Sequence, residues 1–135
     1  MKYKRKILIA PSILAGDFAR LGKETKRAER AGADYIHIDI MDGLFVPNIT
    51  IGPRAVAAVR RHTSLPLDVH LMLQYPQKYI KRFIDSGADI ITVHIEASYR
   101  IKPTLKSIKE AGCKCGLVIN PDTPVSRLKP YLEII

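Results

Sequence analysis

The chain has 135 residues, 47% of them apolar and 26% charged, the balance of a soluble globular domain with its own core. No apolar run approaches the roughly 20 residues that a membrane helix needs, so no membrane partner is expected. The net charge of +9 is dispersed over several helical stretches, among them Lys23, Lys26, Arg27 and Arg30, then Lys78, Lys81 and Arg82; solvated outer faces explain that pattern better than a nucleic-acid groove.

In chain order, the basic residues Met1 to Lys6 precede an apolar stretch of only Ile7 to Ala10, which Pro11 ends. That stretch is too short for a secretory signal, so a cytoplasmic protein is expected, and Ile7–Ala10 reads as a first strand. Phe18, Leu21, Thr25 and Ala28 then recur at helical spacing behind Asp17, a capping residue. Further strand-like runs are Tyr35–Ile40, Leu67–Leu71, Ile90–Ile95 and Cys115–Ile119. The five runs start 28, 32, 23 and 25 residues apart, the spacing of successive βα units. Pro76 is placed to open the third helix. Three similar phrases, Ala31-Gly32-Ala33-Asp34, Ser86-Gly87-Ala88-Asp89 and Ala111-Gly112-Cys113-Lys114, supply a glycine that tolerates a left-handed backbone between helix and strand. Cys113 and Cys115 read as reduced packing residues, since one Cys-x-Cys pair falls short of a four-ligand zinc site. A last helical stretch, Pro124–Leu132, leads to Glu133-Ile134-Ile135, where a sixth strand would begin.

Strict β/α alternation implies a parallel sheet with right-handed crossovers. A flavodoxin-like doubly wound sheet and a segment of a (β/α)8 barrel both satisfy it. The strand contents favour the barrel. Central strands of a doubly wound sheet are apolar on both faces, whereas His37 and Asp39 share one face of the second strand and Asp68 and His70 one face of the third. Polar side chains near strand C-termini suit a barrel lumen that opens onto an active site. An imidazole and a carboxylate two strand positions apart, with a second imidazole on the next strand about 4.8 Å away, can share one divalent cation. Each residue taken singly is more often a hydrogen-bonded core group. Three at matching heights leave the cation and the polar core as even alternatives.

Longer motifs then carry a resemblance. Ala10-Pro11-Ser12-Ile13-Leu14, the run from His37 through Met41-Asp42-Gly43 to Gly52, and Leu67-Asp68-Val69-His70-Leu71-Met72 resemble the signatures of the ribulose-phosphate 3-epimerase family. Val93-His94-Ile95-Glu96-Ala97 and the run from Gly116 to Pro124 resemble its later motifs. Related barrels with an Asp-x-Lys-x-x-Asp strand are discounted, because no lysine lies between His37 and Asp42.

The resemblance covers essentially the whole chain and implies the following. The fold is a (β/α)8 TIM barrel of the ribulose-phosphate-binding type, with residues 1–135 forming the N-terminal part of that one domain, about five βα units. The activity is a metal-dependent isomerase: epimerisation at C3 between D-ribulose 5-phosphate and D-xylulose 5-phosphate in pentose-phosphate metabolism. The cofactor is one divalent ion, Zn, Fe, Mn or Co, held by His37, Asp39 and His70. Asp39 is also a catalytic acid/base carboxylate, while Ser12, His70, Met41 and Met72 contact the phosphorylated pentose, core packing being an equal alternative for the two methionines. Asp68 and His94 are structural, and His62 lies at the surface. A homo-oligomer is expected. The family's second proton-transfer aspartate and its phosphate loops have no match here, so little activity is expected of these 135 residues alone. An epimerase of another keto-sugar phosphate, such as allulose 6-phosphate, or a non-catalytic half-barrel module are the alternatives.

Overall fold

The computed structural model describes residues 7–135, so the basic segment Met1 to Lys6 lies outside the described residues. Four parallel strands, β1 (Ile36–Met41), β2 (Leu67–Met72), β3 (Ile90–His94) and β4 (Lys114–Val118), form one sheet in the order β1-β2-β3-β4. Helices α1 (Leu21–Arg30), α2 (Pro53–Arg60), α3 (Ile80–Asp85) and α4 (Ile101–Glu110) alternate with them. Spatial order therefore equals chain order. With right-handed crossovers, a sheet that always grows in one direction keeps its helices on one face. A doubly wound sheet reverses direction and covers both. The barrel-type arrangement expected from the polar strand faces is the one observed.

The register explains how the two faces divide. Ile36, Ile38 and Ile40 of β1 and Leu67, Val69 and Leu71 of β2 are all buried, as are Ile91 and Val93 of β3. They point toward the helices, meeting Val56 and Val59 of α2, Phe83 of α3 and Leu105 and Ile108 of α4 in one apolar cluster. Burying each such side chain contributes about 2 kcal/mol, so this layer drives folding. The alternate residues, His37, Asp39, Met41, Asp68, His70, Met72 and Thr92, remain half-buried on the opposite, concave face. A one-residue slip of β1 would exchange the two sets.

The glycine phrases behave as their sequence suggests: Gly32, Gly87 and Gly112 each have positive φ, +94°, +96° and +86°. Asp17 accepts from the Ala19 amide, although it caps a short 3-10 turn (Phe18–Arg20) ahead of α1. Pro76 opens another such turn, Pro76–Lys78, before α3.

Two expectations are corrected. The segment Ile7–Ala10 is not a ladder strand, so four strands stand where five were expected. The segment does lie beside β1: the Ile9 carbonyl accepts from the amides of Asp34 and Tyr35, and the Pro11 carbonyl from that of His37. Ser12 pairs with His37 as an isolated parallel bridge. Extending that bridge backward needs a return bond from residue 11 to the Tyr35 carbonyl, and proline has no N–H to give. The Ile9 amide is meanwhile taken by the Asp34 carboxylate at 2.9 Å. The second correction is at the other end. Pro124–Leu132 is helical as expected, though of the tighter 3-10 type over Val125–Tyr131, because Pro130 lacks an amide for α-type bonding and disfavours α-helical backbone at Lys129. Glu133–Ile135 is turn rather than strand: the Ile134 and Ile135 amides both bond to the Tyr131 carbonyl. Ile134 packs on the core, and its carbonyl accepts from Lys109 Nζ at 2.7 Å.

Candidate metal centre

The parallel register sets Asp39 directly beside His70 and His37 beside Asp68. All four belong to the half-buried set, with Asp39 and His70 in the C-terminal half of their strands and His37 and Asp68 one pleat nearer the N-terminal ends. Asp39 Oδ1 lies 3.2 Å from His37 Nε2 and 3.3 Å from His70 Nδ1. Ligand atoms of His37, Asp39 and His70 all fall within 4.8 Å of one another, close enough to surround one ion. Two imidazole nitrogens and a carboxylate oxygen suit zinc, iron, manganese or cobalt.

The outer contacts fit a metal too. Asp68 Oδ2 is 2.8 Å from His37 Nδ1, the carboxylate–imidazole arrangement that orients a ligating histidine and leaves its other nitrogen free for an ion. Asp68, read from sequence as structural, thus positions His37. His94, also read as structural, caps β3 with its Nε2 2.8 Å from His70 Nε2. His70 therefore has only Nδ1 available toward Asp39. Ser12 Oγ donates to Asp39 Oδ2 at 2.5 Å and accepts from the Leu14 amide, so the hydroxyl holds the carboxylate oxygen that faces away from the imidazoles. Met41 and Met72 sit opposite each other one step beyond Asp39 and His70. His62 is exposed, its Nδ1 against the Ala58 carbonyl. Cys113 is buried and Cys115 half-buried; both thiols are free and donate to backbone carbonyls, those of Ala88 and Ile134.

The charges reinforce one another. Hydrogen bonds to Asp39, then to Asp68, raise the His37 pKa from 6.5 to about 9 against the opposing effect of burial. Hydrogen bonds from His37 and His70 hold the Asp39 carboxyl far below the usual range. Asp39 is therefore ionised at neutral pH and, with no ion bound, His37 carries a proton.

Several residues that sequence reasoning left without a role build the frame. Thr50 Oγ1 donates to the Asp39 carbonyl at 2.8 Å and accepts from the Met41 amide, clamping β1 at the level of Asp39. Asp42 accepts from the Leu44, Phe45 and Gln74 amides, tying the loop after β1 to the end of β2. That loop turns at Gly43 (φ +73°) and lays the Phe45 ring 4.8 Å from the His94 ring. The Asp42-Gly43 pair was the available signal, since Asp before Gly favours such a turn.

Comparison with known proteins agrees with this geometry. Residues 8–135 match the sequence model of the Ribulose-phosphate 3 epimerase family. The chain is 60% identical over 127 residues to a ribulose-phosphate 3-epimerase of Bacillus subtilis, covering 94% of this chain and 58% of the relative. It is 53% identical to the Synechocystis enzyme of the same name, covering 96% and 57%. It thus spans just under three fifths of these curated relatives. Among solved structures, the tryptophan synthase alpha chain of Legionella pneumophila superposes with a TM-score of 0.66 at 16% identity, covering 96% of this chain and 58% of that one; the likeness is one of fold.

Proposed function

The chain belongs to the ribulose-phosphate 3-epimerase family, and from that premise we propose that it supplies the metal-holding, first-carboxylate part of a sugar-phosphate epimerase. The substrates would be D-ribulose 5-phosphate and D-xylulose 5-phosphate, and residues 1–135 would form the N-terminal part of a single (β/α)8 barrel. The observation that carries this reading is the convergence of His37, Asp39 and His70 on one polar face of adjacent parallel strands, the face that in such barrels leads to an active site beyond the strand C-termini.

Epimerising a carbon next to a ketone requires removal of its proton and return of one from the opposite side. His37, Asp39 and His70 would hold a divalent ion, which when bound would stabilise the negative charge developing on the ketone oxygen. Asp39 divides its oxygens between two tasks. Oδ1 stays with the imidazoles, and Oδ2, oriented by the Ser12 hydroxyl, takes or returns the C3 proton. Met41 and Met72, facing each other beyond it, form a weakly polar wall against the reacting carbons. The second carboxylate that the reaction needs on the far side has no match in this sequence. The proposed output of these residues is therefore proton exchange at C3 from one side, with little net inversion.

No helix among the described residues is long and apolar enough to cross a membrane, which supports a cytoplasmic setting, and assembly into a homo-oligomer belongs to the same proposal. The test is a solution of ribulose 5-phosphate in D2O with manganese or zinc. NMR should show deuterium entering C3 with the wild-type chain and not with Asp39→Asn, alongside one ion bound per wild-type chain. A wild-type chain that binds no divalent ion would sink the proposal.

A further inference from the structure

On the helix side of the sheet, away from the polar face, a cavity of about 340 Å³ opens between the end of β1, the start of α2 and α3. Its floor is the core itself: Ile40, Leu73 and Phe83, each no more than 5% exposed, line it. Two exposed lining residues, Tyr75 and Lys78, mark its mouth, with Lys78 Nζ 4.6 Å above the Tyr75 ring. No carboxylate among the described residues pairs with that ammonium. Asp42 also lines the cavity, but its oxygens already accept from the amides of Leu44, Phe45 and Gln74. The cavity thus combines an apolar floor, an aromatic wall and one cation whose charge is unmatched. Nothing in the proposed epimerase chemistry uses it.

We propose that this cavity is a binding site for a small arylalkanoate, a monocarboxylate carrying one aromatic ring. The volume accommodates roughly 11 groups of the size that a water molecule occupies in the liquid, which is the size of 3-phenylpropanoate. The ring lies over Ile40, Leu73 and Phe83, where leaving water favours binding, and the carboxylate meets Lys78 at the mouth. The charges select the class. A cationic ligand faces Lys78 and finds Asp42 committed to three amides. A sugar phosphate brings two charges to a single lysine and sets its hydroxyls against an apolar floor without hydrogen bonds. A second copy of the chain, also at +9, meets repulsion. One ring-sized hole also supplies little of the roughly 800 Å² per partner that a stable interface buries. The cavity lies across the sheet from His37, Asp39 and His70, so the inference is independent of the metal-centre reading.

The experiment titrates 3-phenylpropanoate into the full chain, without divalent ions, and follows methyl groups by 1H–13C NMR. The methyls of Ile40, Ile51 and Leu73, all lining the cavity, should shift together and saturate. The expected dissociation constant is about 1 mM or below, the range for a ligand of this size. The uncharged isostere 3-phenylpropanamide should bind about fivefold more weakly, the scale of a solvent-exposed ion pair. Lys78→Gln should bring the acid to the amide's affinity and leave the amide unaffected. Gly52→Leu should abolish binding of both, because Gly52 lines the cavity and a Cβ there would meet nothing within 4 Å, so the plug enters without a clash. Lys78 is exposed, so its variant gives an answer even where the plugged chain folds poorly. Unmoved methyls overturn the proposal. So does equal affinity for acid and amide, a Lys78→Gln chain that still prefers the acid, or a folded Gly52→Leu chain that still binds. A ligand-free dimer in sedimentation that Gly52→Leu dissociates assigns the cavity to a second copy, and that result overturns it too.

Discussion

Raising the pH from 6.5 to 9 should destabilise the metal-free chain while tightening its hold on a divalent ion. The cause is one imidazole. His37 lies 2.8 Å from Asp68 Oδ2 and 3.2 Å from Asp39 Oδ1, and these bonds raise its pKa from 6.5 to about 9. Between those values the folded chain holds a proton that the unfolded chain has released, so stability falls with rising pH. The stabilisation is fully present below about 6.5 and lost through 9, and at 1.36 kcal/mol per pH unit it amounts to about 3 kcal/mol. Ion binding runs the other way. The ion needs the Nε2 lone pair, so it must displace the proton, and apparent affinity should improve about tenfold per pH unit in this window. Calorimetric titration of manganese in buffers of differing ionisation heat should detect about one proton released per ion near pH 7.5. Thermal melts with and without manganese should diverge as pH rises. Other groups titrate in this range, so the informative comparison is with Asp68→Asn, which removes one of the two carboxylates and should flatten both slopes. One bound ion with pH-independent affinity, and no proton released, would refute the reasoning.

Two further expectations concern the frame. Gly87→Ala should cost more stability than Gly112→Ala in urea unfolding. Both have positive φ, a strain of roughly 1–2 kcal/mol for a side chain, but at Gly87 the added Cβ would also lie 2.6 Å from Arg60 Cδ, while at Gly112 nothing lies within 4 Å; equal losses would refute the clash. Arg60 donates to the carbonyls of Thr63 and Leu65 at 2.6 and 2.7 Å and pairs with Asp89 at 2.8 Å, stitching the end of α2 to the start of β3. Arg60→Met should destabilise by about 2 kcal/mol through the carbonyls left without a donor, with manganese affinity unchanged because none of its partners belongs to the His37, Asp39 and His70 cluster. A melting temperature equal to the wild type would count against it.

Much of this was legible in the residues themselves. The alternation of Ile36, Ile38 and Ile40 with His37 and Asp39 announces a strand with one aliphatic and one polar face, because side chains alternate regardless of what surrounds them. The same holds for Leu67-Asp68-Val69-His70. The glycines before three of the strands announce left-handed turns, since other residues resist that backbone. These are local properties, and local rules read them. The Ile7–Ala10 segment was misjudged because its apolar character is local but its pairing is not: a ladder depends on which amides face the neighbour, and there Pro11 interrupts. The stretch Pro124–Leu132 has helical spacing, yet the ring at Pro130 leaves it a 3-10 turn.

Tertiary structure decided the rest. Nothing in the spacing of His70, His94 and Glu96 says that two ring nitrogens meet at 2.8 Å or that a half-buried carboxylate stands behind them. Asp68 reads from sequence as one more polar strand residue, and it becomes the orienting partner of His37 only when β1 and β2 align residue for residue. The sequence by itself determined which side chains lie on the concave face, because the pleat of a strand dictates it. Register and sheet order, which depend on how the aliphatic layer packs against the helices, decided which of those side chains touch, which nitrogen each histidine presents, and hence what the face can hold.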